Sequence, residues 1–290
     1  MEDATMHIPV YGLEANLLDK ESGISLTTST IYNGSPRHTH NHFEFFIVTN
    51  GLALHMINDS VQPIEKGDFF FIRPADVHCY DFYHSENFSI RNLGFSQQIY
   101  QNVNLFLNHS ARLKEMSQGE FPPKVHLEGD NFEKVMELLS EISRMKGKAH
   151  PRHIRYHAQC VIALFLEDYF FHYETDEASD YGPGWLDALL ENMQKPENFQ
   201  EGYKKMCLLA PCSPNHLCRT MKKLYGKTPT QYINEQRLNY SVYLLTQTDL
   251  DILDICDTCG FSNLSHFYHL FKKQFGKSPV RFRKTAGPVQ

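Results

Sequence analysis

Residues 221–229 read MKKLYGKTP, and residues 271–279 read FKKQFGKSP. The same offset of 50 residues relates His216 to His266. Self-similarity of this length at one fixed offset is the signature of a duplicated structural unit. The C-terminal third of the chain therefore contains one supersecondary motif twice.

Each copy carries the start and stop signals of two helices joined by a tight turn. In the first copy, Ser213 and Pro214 are strong start signals for the second helix, and Gly226 ends it. In the second copy, the equivalent helix is predicted to begin at Ser262 and to end at Gly276. Two helices with this spacing and a polar N-terminal end on the second one form a helix-turn-helix.

The repeats carry the motifs of a known family. Residues 226–238 read GKTPTQYINEQRL, and residues 259–279 read CGFSNLSHFYHLFKKQFGKSP. These stretches resemble the DNA-binding domain of the AraC/XylS family of transcription regulators, over about 85 residues from Phe199 to Lys284. The resemblance implies an all-α domain with two helix-turn-helix units that binds double-stranded promoter DNA.

Helical geometry predicts which side chains of the two second helices face outward, toward DNA. The predicted DNA-binding residues are Asn215, His216, Arg219, Lys222, Lys223, Ser265, His266, His269, Lys272 and Lys273. Arg219 can hydrogen-bond guanine through two donors and Asn215 can hydrogen-bond adenine, whereas the lysines are expected to neutralise phosphates. His269 stands where the family pattern has a second arginine, so the base-contacting side chains of the two units differ.

The charge of the chain is unevenly distributed. Residues 185–290 hold 14 Lys and Arg against 9 Asp and Glu, a net charge of +5, whereas residues 1–184 carry −11. The total of −6 therefore conceals a basic, DNA-facing half. Between the repeats, residues 231–245 predict a helix of ~22 Å, which could set the two units into successive major grooves.

The first part of the chain, up to about residue 125, has the pattern of short strands. The stretches FEFFIV at 43–48, LALHMI at 52–57 and FFFI at 69–72 are rich in aromatic and β-branched residues and are separated by turn residues. Strands at this spacing predict a β-sandwich or β-barrel. The aromatic side chains of this region are expected to be mostly core, although aromatic faces can also stack on sugar rings: Phe43, Phe45, Phe69, Phe71, Tyr80, Phe82 and Tyr83.

Polar residues in this region resemble the two cupin motifs. His38-x-His40-x3-Glu44 matches the core of the first motif, and the stretch from Gly67 to His78 resembles the second. The resemblance implies a small barrel with three histidines and one carboxylate, a donor set suited to Zn, Ni, Mn or Fe. Three interpretations stay open: a metal-bearing sensor pocket, a metal-free pocket that hydrogen-bonds a ligand, and a purely structural cluster.

Helical periodicity begins near residue 130. A second helix is predicted over about 152–172, and its centre at 161–166 is apolar on all sides, which predicts burial on two faces and suggests a homodimer. Residues 174–184 are the best linker candidate. The predicted domains are a cupin-like sensor at 1–127, a helical connector at 128–184 and a double helix-turn-helix domain at 185–290.

Composition excludes several classes of protein. A hydrophobic fraction of 41% over 290 residues is ample for buried cores and too high for a disordered chain. The longest apolar run is far below the ~20 residues of a membrane span, and no secretory signal is recognisable, so a cytoplasmic protein is expected. Seven scattered cysteines are expected to be reduced, with Cys256 and Cys259 in the core instead of forming a redox or zinc pair.

The predicted fold class is a multidomain α+β protein, with an N-terminal cupin-like β-barrel followed by an all-α domain of two helix-turn-helix units. The predicted function is sequence-specific DNA binding by a transcriptional activator that responds to a small molecule. The sensor motif and the Trp185-Leu186 pair are similar to those of chitobiose- or cellobiose-responsive regulators, which implies a carbohydrate effector. RNA polymerase is a further expected partner, and no catalytic residue is predicted.

Two other classes of function compete with this prediction. A metal-dependent cupin enzyme, such as an isomerase or dioxygenase with a helical appendage, accounts for the histidines and leaves the 50-residue repeat unexplained. An RNA-binding or scaffold role for the helical half lacks a recognisable platform for stacking single-stranded bases.

Overall fold

The computed structural model describes residues 8–18, 21–32, 34–58, 60–82, 87–108, 111–171 and 184–286. Its strands are β1 (Val10–Tyr11), β2 (Ile24–Ile31), β3 (Thr39–His40), β4 (Phe43–Asn50), β5 (Leu52–Ile57), β6 (Ser60–Glu65), β7 (Asp68–Ile72), β8 (His78–Phe82), β9 (Phe88–Phe95) and β10 (Lys124–His126). The linker predicted at 174–184 lies outside the described residues, except for its last residue.

The helices follow the strands almost without mixing. A short 3₁₀ helix at Leu13–Asn16 precedes β2, and the α-helices are α1 (Gln97–Phe106), α2 (Ala111–Gln118), α3 (Gly129–Met145), α4 (Pro151–Phe165), α5 (Gly184–Asn192), α6 (Pro196–Glu201), α7 (Tyr203–Leu209), α8 (Pro214–Tyr225), α9 (Pro229–Gln247), α10 (Ile252–Thr258), α11 (Leu264–Phe275) and α12 (Pro279–Ala286). A π-helical segment, Leu166–Phe171, continues α4. The predicted order, a β-rich half followed by a helical half, is confirmed.

The N-terminal half contains two facing sheets. One has the strand order β10-β7-β4-β9-β2 and the other has the order β6-β5-β8, and a short parallel pair of β1 with β3 lies beside them. All three strands predicted from sequence are present, as β4, β5 and β7. The pairing of β4 with β7 and β9 places Phe46 beside Phe70, so successive side chains alternate between the inner and outer faces.

This alternation of side chains gives the N-terminal half two apolar layers. Phe46, Phe70 and Ile57 belong to the layer between the two sheets. The outer face of the five-stranded sheet, which includes Phe45 and Phe69, is covered by α1 to α4 in one continuous core. The helical segment that the sequence assigns to a separate connector therefore shares its core with the sensor sheets.

Burial in α4 differs from the sequence expectation at one position. Val161, Ile162, Ala163, Phe165 and Leu166 are buried against the sheet and its neighbouring helices, whereas Leu164 is 42% exposed. The apolar residues of the helix are thus buried largely by contacts within one chain.

The C-terminal half contains the two predicted helix-turn-helix units. α6 and α7 lead into α8 in the first unit, and α10 leads into α11 in the second. The side chain of Ser213 caps α8 by accepting a hydrogen bond from the amide of His216, and Gly226 ends α8 in the left-handed conformation, as predicted. Gly276 ends α11 in the same way.

The cap of α11 corrects one prediction. Asn263, not Ser262, is the N-cap, because its side-chain oxygen accepts a hydrogen bond of 2.9 Å from the amide of His266. The 50-residue offset contained this signal, since it places Asn263 opposite Ser213. Both residue types are good caps, so composition alone did not distinguish them.

Helix α9 lies at the centre of the C-terminal half. Ile233 packs into the core of the first unit, and Leu238 and Val242 pack into the core of the second. The sequence expectation of a spacer helix is met, with a length of 19 residues. Within the described residues, no helix is long and apolar enough to cross a bilayer.

Candidate functional site

The second helices of the two helix-turn-helix units, α8 and α11, are the predicted recognition helices, and they present their polar faces to solvent. All ten predicted DNA-binding residues are exposed: Asn215, His216, Arg219, Lys222, Lys223, Ser265, His266, His269, Lys272 and Lys273. On the opposite faces, Leu217, Met221, Phe267 and Phe271 are 0% exposed. These buried anchors fix the rotation of each helix about its axis, and therefore which side chains can meet a DNA groove.

The two units are tied together through α9 by hydrogen bonds that sequence reasoning did not find. The guanidinium of Arg237 donates from Nε to the carbonyl of Phe199 at 2.9 Å and from a terminal nitrogen to the carbonyl of Gln200 at 2.7 Å. Gln200 in turn donates from Nε2 to the carbonyl of Thr258 at 2.7 Å. One chain of polar contacts therefore links α6, α9 and α10, which supports a fixed spacing of the units.

Phe261 packs against this linkage. The Arg237 guanidinium lies 5.6 Å from the centre of its ring, a cation–π contact. Cys256 and Cys259 are buried in the same core, and Cys256 donates to the carbonyl of Phe261 at 3.7 Å. Burial raises the pKa of both thiols. Both cysteines are therefore core residues, as predicted.

The second candidate site is a buried cluster of histidines at one end of the facing sheets. Nε2 of His40 and Nε2 of His78 are 2.9 Å apart, and Nε2 of His40 lies 3.9 Å from Oε2 of Glu44. Single ligating atoms of His38, His40 and His78 all lie within 4.8 Å of one another. The structure therefore brings together the four residues that the cupin resemblance singled out.

His42 and His55 extend this cluster. His42 joins His40 and Glu44 in a second compact group, so two buried histidines two residues apart both approach the carboxyl. His55, which sequence reasoning missed, is 0% exposed, and its Nε2 is 3.2 Å from Nδ1 of His78. The signal for His55 was strand alternation, because β5 pairs with β8 and places His55 on the inner face beside His78.

Hydrogen bonds orient the rings. Nδ1 of His38 lies 2.8 Å from the carbonyl oxygen of Pro36. A carbonyl only accepts, so Nδ1 of His38 carries the proton and Nε2 keeps its lone pair. Nδ1 of His78 shares a proton with Nε2 of His55. When His78 is the donor in that pair, its Nε2 is unprotonated and accepts a hydrogen bond from Nε2 of His40, 2.9 Å away, so the Nε2 atoms of His38 and His78 both carry lone pairs inside the cluster.

Several polar atoms of the cluster are buried without a hydrogen-bond partner. Among the described residues, this holds for Nδ1 of His40, Oε1 of Glu44, Nδ1 of His55 and the hydroxyl of Tyr80. An unpartnered polar atom costs about 1–3 kcal/mol in a folded core. Such orphans are typical of a site that binds something, because a ligand would satisfy them.

Burial controls the protonation of the cluster. Desolvation lowers the pKa of His40 and of His55 to about 3 and that of His42 to about 4, with neighbouring charges adding to the effect at His40 and His55. Burial also lowers the pKa of His38 and His78. Desolvation raises the pKa of Glu44 to about 8, against an opposing hydrogen bond from Asn92. At pH 7 the imidazoles are neutral and their lone pairs are available.

The aromatic residues singled out from sequence separate into two groups. Phe43, Phe45, Phe69 and Phe71 belong to the core beneath the helices and do not face the histidines, as expected for core residues. Tyr80 lies on the inner face and stacks on His55, with ring centres 5.2 Å apart. The Tyr83 position and the Phe82 side chain lie outside the described part of the chain.

Two family models match the chain. The model described as "AraC-like ligand binding domain" matches residues 26–167, and the model described as "Helix-turn-helix domain" matches residues 206–285. These ranges coincide with the facing sheets and their helices and with the two recognition units. The chain belongs to the AraC family of transcription regulators.

Relatives of this AraC-family protein align along most of its length. The "HTH-type transcriptional activator RhaR" of Enterobacter sp. (strain 638) is 25% identical over 249 residues, which are 85% of this chain and 86% of the relative. The "HTH-type transcriptional activator RhaS" of Escherichia fergusonii is 27% identical over 259 residues, 86% and 87% of the two chains. Among solved structures, ToxT from Vibrio cholerae is 12% identical, covers 90% of this chain and 98% of its own, and has a TM-score of 0.36.

The two matched domains give each half of this AraC-family chain a function. The sheet-rich half is a small-molecule binding domain and the helical half is a DNA-binding domain. The protein is a sequence-specific DNA-binding transcription regulator that responds to a small molecule.

The two halves meet across the outer face of the smaller sheet. Leu54 and Met56 of β5 and Cys79 of β8 share a core with α9 and the second helix-turn-helix unit. The Thr246 hydroxyl donates to the Asp81 carboxylate at the edge of this contact. His55 lies between Leu54 and Met56 on the same strand and points to the opposite face, so one strand separates the histidine cluster from α9.

Proposed function

We propose that this AraC-family protein is a cytoplasmic transcriptional activator that inserts α8 and α11 into two successive major grooves of a promoter. The supporting observation is the duplication itself: two capped helices expose polar residues at equivalent positions above fully buried apolar anchors. The names of the relatives, both transcriptional activators, support activation as the direction of control. An activator of this kind would act on RNA polymerase at the promoter.

Within each recognition helix, the contacts are proposed to divide by chemistry. Arg219 and Asn215 recognise base edges, because guanidinium and amide groups can each make two hydrogen bonds to one base. Lys222 and Lys223 and the equivalent Lys272 and Lys273 bind phosphates, which position the protein without specifying sequence. His216, Ser265, His266 and His269 complete the proposed DNA surface.

The experiment that tests this function measures binding of the full chain to fragments of its own genomic neighbourhood across a salt series. We expect one or a few fragments to bind specifically, with affinity that falls steeply as salt rises. Repeating the titration with a panel of mono- and disaccharides, including chitobiose and cellobiose, tests the proposed carbohydrate effector. Uniformly weak binding to every fragment, with and without sugars, would contradict the proposed function.

The sensor cluster is proposed to bind the effector directly or through a divalent transition metal such as Zn, Ni, Mn or Fe. The residues present fit a metal, because His38, His40 and His78 offer neutral imidazole nitrogens and Glu44 offers a carboxyl group beside them, which the charge of a bound metal would keep ionised. A bound metal would also satisfy buried atoms that have no partner among the described residues. It would supply a positive charge able to bind oxygen donors such as sugar hydroxyls.

Metal analysis of the purified chain distinguishes the two modes. We expect close to one metal per chain in the wild type and a loss of metal in His40→Ala. His269→Ala, an exposed histidine on α11, is the matched control and is expected to retain the metal. A metal content near zero after metal supplementation would instead favour a pocket that hydrogen-bonds its effector directly.

The enzymatic alternative assigns the same cluster to catalysis. It is disfavoured because it gives no role to the duplicated recognition helices, and the proposal assigns no catalytic residue to this chain. Stoichiometric iron together with turnover of a small substrate by the purified protein would support it.

The protein is further proposed to act as a homodimer and to transmit effector binding through the sheet that contacts α9. Effector binding at the histidines can change DNA affinity only if the effector binds more tightly to one of two arrangements of this contact or of the dimer. The size of the change is limited by that difference in effector affinity. β5 is suited to this role, because its inner and outer side chains touch the cluster and the DNA-binding half respectively.

A further inference from the structure

The first helix-turn-helix unit contains three half-buried cysteines that have no role in the proposed function. Cys207 lies on α7, Cys212 lies in the turn, and Cys218 lies on α8. In the second unit, by contrast, Cys256 and Cys259 are buried in the core. Of the two units, the first is therefore the one whose thiols are accessible to reagents in solution.

The hydroxyl of Tyr203 connects two of these thiols. Its oxygen lies 3.6 Å from Sγ of Cys218, a hydrogen bond that joins α7 to α8. It also hydrogen-bonds Cys207, which lies one turn further along α7. Both sulfur atoms therefore contact one hydroxyl group, and Tyr203 is 40% exposed, so solvent reaches this contact.

Cys218 also lies on the face of α8 that carries the proposed DNA contacts. It follows Asn215 by three positions and precedes Lys222 by four, and residues three or four apart share a helical face. Arg219, the next residue, and Lys222 are both exposed and basic. This positive surface attracts small anions, including an oxidant that carries carboxylates.

We propose that Cys207 and Cys218 form a thiol-exchange site, which reacts with a small anionic disulfide and closes into a reversible bond between the two cysteines. The bond releases the first unit from DNA. This inference rests on the proposed role of α8 in base recognition, and it adds a chemical signal that does not pass through the histidine cluster. Disulfides in the cytosol are usually transient and either catalytic or redox-sensing, which fits a bond that forms and reopens.

The exchange balances in two steps. The Cys218 thiolate attacks one sulfur of the small disulfide, forms a mixed disulfide and displaces one small thiolate. The Cys207 thiolate then attacks Sγ of Cys218 and displaces the other. The protein thiols lose two protons and two electrons, and the small disulfide becomes two thiols. The hydroxyl of Tyr203, whose pKa is raised by its hydrogen bonds to Cys218 and Cys207, stays protonated and donates to the attacking thiolate.

Bond closure changes the geometry of the recognition helix. A disulfide holds its two Cβ atoms about 3.5–4.5 Å apart, so the Tyr203 hydroxyl cannot keep its contacts with both sulfurs. Closure therefore removes the hydrogen bond that joins α7 to α8 and pulls Cys218 toward α7. Asn215 and Arg219 lie on the same helix and shift with it, away from the positions in which they contact bases.

Fluorescence anisotropy of the full chain with its specific DNA fragment tests the effect on DNA binding. Oxidised glutathione, an anionic disulfide, is the probe, and affinity is measured before and after its addition. We expect it to weaken specific binding by the wild type at least about tenfold, as loss of one pair of base contacts would, and dithiothreitol to restore it. Cys218→Ala should show no such loss relative to its own reduced form. Cys160→Ala, at an exposed cysteine of α4, is the matched control and should respond like the wild type.

Mass spectrometry tests the bond independently of DNA. Trypsin cuts after Lys205 and Arg219, so one peptide, residues 206–219, contains all three cysteines of the unit. In Cys212→Ser this peptide retains the proposed pair alone. After treatment with oxidised glutathione and alkylation of free thiols, we expect it to be lighter than the reduced, unalkylated peptide by the mass of two hydrogen atoms. Cys207→Ala lacks the second thiol and is expected to keep glutathione on Cys218.

Two results would overturn the inference. If both cysteines of the Cys212→Ser peptide are alkylated, or if each carries glutathione, no bond forms between Cys207 and Cys218. If the bond forms and specific DNA affinity is unchanged, the site has no effect on DNA binding. Reduced protein that binds no DNA fragment would instead contradict the proposed function, and the peptide mass would still test the bond.

Discussion

Arg219 is the residue on which base recognition by the first unit is proposed to depend. It is exposed on α8, and its Nε donates to the carbonyl of Asn215 at 3.4 Å, a weak contact that DNA can replace. The second unit has His269 at the equivalent position, with a shorter side chain and fewer donors. We therefore expect the first unit to contribute more of the sequence specificity.

Arg219→Ala is expected to weaken specific DNA binding by about 1–3 kcal/mol and to relax preference at one base position. The measurement is a fluorescence anisotropy titration against the specific site and its single-base variants. Lys223→Ala is the matched control, because loss of a phosphate contact should weaken binding to all sequences alike and lower the salt slope by about 1. Unchanged affinity and preference in Arg219→Ala would remove this residue from the base-contacting surface.

The histidine cluster predicts a pH dependence of folding stability. The pKa of His40 and of His55 is about 3 in the folded chain, whereas an unfolded histidine titrates near 6.5. Below pH 6.5 the unfolded chain therefore binds protons that the folded chain excludes, and stability falls as the pH falls. Glu44, whose pKa is raised to about 8, has the opposite effect on stability. Between about pH 4.5 and 8 the folded chain keeps a proton on Glu44 that the unfolded chain has released, so this contribution falls as the pH rises. Glu44 is one group, whereas five histidines act in the other direction.

In the presence of a chelator, we expect the free energy of unfolding to fall by about 2 kcal/mol between pH 7 and 5.5, measured by urea denaturation. His55→Phe should reduce this loss, because it removes one buried histidine from the cluster. His266→Gln, an exposed histidine of α11, should leave the pH dependence unchanged. Equal stability at both pH values would mean that the histidines are hydrated in solution.

At the scale of the element, the recognition helices depend on their first residues. Asn263 caps α11 and Ser213 caps α8, each by accepting a hydrogen bond from the amide three residues later. The caps also place the polar N-terminal turn of each helix where a groove can be reached. A frayed first turn would therefore disturb both stability and base contact.

Asn263→Ala is expected to destabilise the protein by about 1 kcal/mol. Ser262→Ala, at the neighbouring position where the sequence first suggested the cap, is expected to cost less than about 0.5 kcal/mol. Urea denaturation of the two variants makes the comparison directly. Equal costs for the two substitutions would show that Asn263 contributes no capping energy.

Helices and strands were predictable from sequence where a local pattern of residues is compatible with only one type of element. The strands β4, β5 and β7 and the helices α8 and α11 follow from residue type, alternation and capping. Residue type alone did not distinguish Ser262 from Asn263 as the cap of α11, because either side chain can accept the same hydrogen bond, whereas the 50-residue offset favours Asn263. His55 was missed because its importance depends on the pairing of β5 with β8, a contact between distant parts of the chain.

At the scale of the whole molecule, the sensor and the DNA-binding half share one apolar core. Leu54 and Val61 of the smaller sheet are 1% exposed, and Leu238 and Val242 of α9 are buried in the same cluster. Because both halves contribute to this core, separating them exposes apolar surface on each. We expect the two halves to unfold together.

Leu54→Asp is expected to uncouple them, because it places an unpaired charge in that core at a cost of several kcal/mol. Trp185, the single tryptophan, packs against the first helix-turn-helix unit and reports on that half by fluorescence. In the variant, the fluorescence and circular dichroism transitions in urea should separate. Leu253→Asp, at a position 53% exposed on α10, should keep them coincident, and coincident transitions in Leu54→Asp would contradict a cooperative contact.

Signals in the amino-acid sequence were enough to assign the class of this protein. A 50-residue repeat, helix caps, strand alternation and the uneven charge are all local or periodic signals, and they were sufficient to predict a β-rich sensor and a double helix-turn-helix. Which residues come into contact depends on the tertiary structure. It buried most of the apolar run of α4 within one chain, added His55 to the cluster, and packed the outer face of β5 against α9. Such contacts join residues far apart in the chain, and their energy depends on complementary shape, which residue order does not encode locally.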